Sequence, residues 1–119
     1  LCCFCPGGSG ARVYRAPHPL GPWEYRGNIN RRRSGPLSGV RDFSGEIIVP
    51  AQQTHVAHLP TAGDDVFIWM GDLWQTGGAQ NRGADLQFWS EPLRFTAEGD
   101  IEPLRHIERW TLTHTPAAS

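Results

Sequence analysis

Val66-Phe67-Ile68-Trp69-Met70 is an unbroken apolar run with Asp65 before it and Gly71 after it. Side chains alternate between the two sides of a strand, so a short run with no polar member predicts a strand covered on both faces. Such a segment belongs in a core. The elements on either side of it are therefore read as its partners.

Upstream, residues 54–59 (Thr-His-Val-Ala-His-Leu) predict a strand closed by Pro60 and Gly63, with Asp64 and Asp65 in the turn that leads into the apolar run. Ile47-Ile48-Val49 predicts another short strand ending at Pro50, and residues 28–44, polar and without period, predict a long loop. Before that, Arg12-Val13-Tyr14-Arg15 and Trp23-Glu24-Tyr25-Arg26 flank Pro17, Pro19, Gly21 and Pro22, which predicts a hairpin. Downstream, residues 71–84 predict an exposed loop, residues 86–89 and 92–95 resume strand character, and Glu98-Gly99-Asp100 predicts a turn. In residues 104–110 Leu104, Ile107 and Trp110 stand at helix-like spacing, but Thr111-Leu112-Thr113 adds β-formers and no N-cap precedes the segment, so it is read as a strand.

Strand, turn, strand, long loop, strand, turn, strand across residues 52–113 predicts one four-stranded blade of a β-propeller, and residues 11–51 supply the outer strands of the preceding blade and a loop. Residues 1–10 and 114–119 are an unmatched edge and a tail. Half of a β-sandwich is the competing architecture. The fold class is all-β in either case. A propeller needs at least about four blades to close, so the remaining blades are expected upstream of this sequence.

Composition excludes several classes of function. The 119 residues carry 11 Arg and no Lys against six Asp and six Glu, a formal net charge of −1, and this near balance gives no electrostatic basis for binding nucleic acid. Arg31, Arg32 and Arg33 form the one basic run, and three charges among Gly, Ser and Pro read as a solvated loop. No apolar run approaches the roughly 20 residues of a spanning helix, so no membrane association is expected. The chain opens on Leu1, and Leu1-Cys2-Cys3-Phe4-Cys5 lacks the length and basic flank of a signal peptide; it reads as the edge of a longer chain. The three cysteines lack the Cys-x-x-Cys spacing that grips zinc, and they assign no compartment.

Two stretches have the residue types of a polar ligand site. Gln52-Gln53-Thr54-His55 places two amides and an imidazole at the start of a strand, and amides hold a water or hydroxyl by donating and accepting at once; they also serve to satisfy loop backbone. Gly71-Asp72-Leu73-Trp74 puts a carboxylate and an indole at a loop mouth, the pairing that holds a sugar between an aromatic face and a hydroxyl acceptor, although Trp is often core and Asp often a turn former. Packing accounts for Trp23, Trp69, Trp89 and Trp110. Asp85, Glu91 and Glu108 read as structural or surface acids. His55 and His58, three residues apart, fall on opposite faces of a strand, so no shared metal is expected. No cofactor is expected either.

In order, Pro19-Leu20-Gly21-Pro22-Trp23-Glu24-Tyr25-Arg26-Gly27-Asn28-Ile29, Gln52-Gln53-Thr54-His55-Val56, Ile68-Trp69-Met70-Gly71-Asp72-Leu73-Trp74 and Phe88-Trp89-Ser90-Glu91-Pro92-Leu93-Arg94-Phe95 resemble the last part of glycoside hydrolase family 43 catalytic domains. The likeness spans residues 11–113 and is closest to the branch that includes exo-β-1,3-galactanases. It implies a five-bladed propeller with an axial active site and hydrolysis with inversion, in which a carboxylic acid protonates the leaving oxygen and a base activates water. In that branch the usual base is missing and a Gln near the innermost strand of the final blade helps hold the water. Gln52 matches that position best, with Gln53 beside it, and an amide there orients water without taking its proton. Gln53, Asp72 and Trp74 are the implied substrate contacts, and an oligo- or polysaccharide is the implied partner. The sequence departs from the family in that no segment matches its general acid or its other axial carboxylates, nor is there a ligand set for calcium. A non-catalytic carbohydrate-binding domain is the alternative function.

Overall fold

The structure is a computed structural model that describes residues 10–32, 45–73 and 87–117. Among them no helix occurs, and five strands form two antiparallel sheets: β1 (Arg12–Arg15) pairs with β2 (Glu24–Asn28), while β3 (Ala51–Leu59), β4 (Val66–Leu73) and β5 (Gln87–Pro92) form a meander in sequence order. The all-β expectation is met at this level.

The hairpin forms where the turn formers separate two β-rich tetrads, and its register slips between Val13 and Tyr14, leaving Arg26 as the extra residue beside Gly27 at φ 108°. From the bulge the Arg26 guanidinium reaches the buried Asp100, with Nε and Nη2 each 2.6 Å from a carboxylate oxygen. The pairing holds Arg26 above its ordinary pKa, chiefly through the hydrogen bond to Asp100. It ties the hairpin to the turn at residues 96–101, where Gly99 takes a φ of 84° and Phe95 bridges Ile101.

One face of the three-stranded sheet presents Ala51, Trp69 and Phe88 to Ala11, Ile29, Val49 and Leu104, and these seven residues are the core. Gly71 lets the layer close: a Cβ there would stand 2.8 Å from the Trp69 ring and 2.9 Å from the Gln52 carbonyl oxygen. Asn30, fully buried, ties the chain just past β2 to the chain just before β3 with its side chain. Its Nδ2 donates to the Val49 carbonyl at 2.9 Å and its Oδ1 accepts from the Val49 N–H at 2.8 Å, as a neighbouring strand would. That exchange explains why residues 47–49, read as a strand, form only the isolated bridge Arg31↔Ile47.

Three further differences have physical causes. β3 starts three residues earlier than predicted, because Ala51, Gln52 and Gln53 pair with Leu73, Asp72 and Gly71, and the same pairing extends β4 past the apolar run. Residues 104–113, read as the fourth strand, form no ladder; the chain follows Pro103, Leu104 N–H donates to the Ile29 carbonyl across the core, and beside β5 the Trp110 side chain supplies the hydrogen bond. Trp23 and Trp89, assigned to packing, are 59% and 52% exposed, whereas Trp69 is wholly buried.

Candidate functional site

Strand register sorts the candidate residues by face. Gln52 lies opposite Asp72, and Asp72 opposite Gln87, so an amide, a carboxylate and a second amide stand side by side across β3, β4 and β5. In an unbroken strand His55 would share the face of Gln53. The register shift between Gln53 and His55 instead turns His55 to the face of Gln52, opposite Met70, while on the other side of β4 the register of Asp72 with Gln87 continues unbroken and sets Trp89 opposite Met70. Two rows result, Gln52–Asp72–Gln87 and His55–Met70–Trp89, on the face turned away from the core. Asp72, Gln87, His55 and Trp89 are exposed, and Gln52 is half-buried. The Trp89 indole N–H donates to Gln87 Oε1 at 3.3 Å and links the rows.

Of the residues predicted for the site, Gln52 and Asp72 are thus brought together. Gln53 faces the other way, opposite Gly71 over the core, where its Oε1 is buried with no hydrogen-bond partner; Trp69 Nε1, on the same face, is the other buried polar atom in that state among the described residues. Trp74 lies outside the described residues, as does Asp85.

Sequence reading had His55 in the polar stretch with Gln52 but did not place it beside Asp72, and it missed Gln87 and Trp89 as members. The signal for Gln87 and Trp89 was their alternate spacing in β5, which puts both on one face; the bulge that recruits His55 leaves no mark in local composition. The buried Ser90 supports this geometry from beneath: at the β4–β5 shift its hydroxyl accepts from the Trp69 N–H at 3.0 Å and donates to the Glu91 carbonyl at 2.7 Å. Glu91 is engaged structurally, since Arg105 grips both its oxygens, at 2.5 and 2.7 Å, and is itself held above its ordinary pKa by that contact. His58, on the core-side face, stacks on Phe67 with ring centroids 4.8 Å apart, opposite in direction to His55. No group of three or more His, Cys, Asp or Glu side chains able to hold a metal occurs among the described residues.

The chemistry of this face is that of a hydroxyl-rich ligand. Two amides donate and accept, a carboxylate accepts, an imidazole does either, and an exposed indole offers an apolar plane. Comparison with family models, with curated proteins and with solved structures gives no match.

Proposed function

We propose that this chain carries the last blade, and part of the one before it, of a five-bladed propeller glycosidase of the family 43 type, acting on β-galactosidic linkages of a galactan-like polysaccharide. The observation that carries this reading is the sheet register, with the bulge in β3 that adds His55, which gathers Gln52, His55, Asp72, Gln87 and Trp89 on one sheet face. Gln52, on the first strand of the blade, orients the attacking water, and Asp72 accepts from sugar hydroxyls. The general acid is assigned to an earlier blade. The lower part of the same face, with Ala57, Leu59, Val66 and Ile68, is apolar and suits a neighbouring blade's cover.

Galactose release from β-1,3-galactan by the complete protein tests the reading. Gln52→Ala lowers the rate by about a hundredfold if the amide positions water; an unchanged rate removes Gln52 from the mechanism. A second reading, a non-catalytic carbohydrate-binding domain, draws on the 52% exposed Trp89 beside the polar row. Saturable sugar binding by the complete protein, with no product formed, decides for it.

A further inference from the structure

An open groove of about 790 Å³ runs along the outer edge of β5, between that strand and the ladderless segment at residues 106–111. Trp89 and Trp110 contribute two indoles to its walls, and Gln87, His106, Glu108 and Arg109 contribute polar groups. Its volume falls within the range of small-molecule sites, roughly 300–1,000 Å³. An edge strand ordinarily invites a further strand through its free backbone groups. Here the Trp110 indole N–H already donates to the Trp89 carbonyl at 2.9 Å, so an incoming peptide would have to displace a formed bond at the centre of the edge. The same bond holds the Trp110 ring against β5. His106 is steadied in turn, edge-on to Phe88 with centroids 5.4 Å apart.

What the groove offers a ligand is therefore side-chain chemistry: aromatic surface for sugar C–H faces, and amide, carboxylate, guanidinium and imidazole groups for hydroxyls. We infer that this groove is an accessory saccharide-binding site, continuous through Gln87 and Trp89 with the face described above, which holds a length of β-linked glycan outside the site of bond cleavage. The choice of galactan as its glycan rests on the proposed function; the groove's suitability for a saccharide does not.

Calorimetric titration of the complete protein with β-1,3-galactotetraose, alongside tryptophan emission, tests it. The expected result is saturable binding at a site that Trp110→Ala weakens by about tenfold or more, the equivalent of one well-placed aromatic contact. Trp110→Phe retains a ring and most of the affinity, and Arg109→Ala gives an intermediate loss with the groove wall kept. Gln52→Ala leaves this site intact, so failure of the groove and failure of the proposed hydrolysis are separately visible. Circular dichroism identifies a variant that has lost its fold, and the Arg109→Ala arm then decides. Galactotetraose binding unaffected by Trp110→Ala and Arg109→Ala, no saturable binding, or displacement of the sugar by an extended peptide that pairs with β5 would each overturn the inference.

Discussion

The two faces of the β3–β4–β5 sheet carry opposite chemistry from interleaved residues of the same strands. On the core side Ala51, Trp69 and Phe88 are buried among the hairpin residues Ala11 and Ile29, with Val49 and Leu104 completing the layer. On the other side, one residue along each strand, stand Gln52, Asp72, Gln87 and Trp89. A single-residue slip in register would exchange the two sets, so every residue that fixes register also fixes the polar face. The contrast teaches that apolar packing and exposed polar groups are assigned to opposite faces here; on the proposed function, substitutions should separate stability from ligand binding.

Asn30→Ala should break the core side most severely. It removes the two-point partner of the Val49 N–H and carbonyl, which ties the chain past β2 to the start of β3, and Val49 is buried. A loss of about 3 kcal/mol is expected in chemical denaturation, from the unsatisfied Val49 N–H together with one hydrogen bond lost at the Val49 carbonyl, which keeps the Ala51 N–H. Gly71→Ala comes next, at about 2 kcal/mol, because the added methyl meets the immobile Trp69 ring and the β3 backbone at the Gln52 carbonyl. This variant should also disturb the polar row, since relief of the clash moves Gln52. Ser90→Ala should cost about 1–2 kcal/mol by orphaning the buried Trp69 N–H at the bulge. On the outer face, Asp72→Asn and His55→Ala should change stability by no more than about 0.5 kcal/mol while weakening sugar binding. If the outer-face variants unfold the protein as readily as Asn30→Ala does, the division between faces fails.

How far the sequence could be read follows the same division. The apolar run of β4 and the turn-bounded hairpin announced themselves because burial on a strand, or a cluster of Pro and Gly, leaves a local pattern. Gln52 and Asp72 were recognisable by residue type. That they are cross-strand neighbours, whereas Gln53 turns to the core, depends on a register that only pairing sets. Residues 47–49 and 104–113 have strand composition, yet side chains take hydrogen bonds that a ladder would make: the distant Asn30 bonds Val49 in the first, and the second's own Trp110 bonds the Trp89 carbonyl of β5. Local propensity carries no record of such substitutions. Likewise, buried Trp69 sits in the unbroken apolar run, whereas exposed Trp89 follows Phe88 among Gln87, Ser90 and Glu91, and the parity of β5 against the core turns Phe88 inward and Trp89 outward.

The most direct test measures galactose release and the thermal unfolding midpoint together in Gln52→Ala of the complete protein. The account predicts a rate about a hundredfold lower with the midpoint held, because Gln52 belongs to the face that serves the ligand. A rate equal to that of the unsubstituted protein, or one that falls only in step with the midpoint, would contradict it.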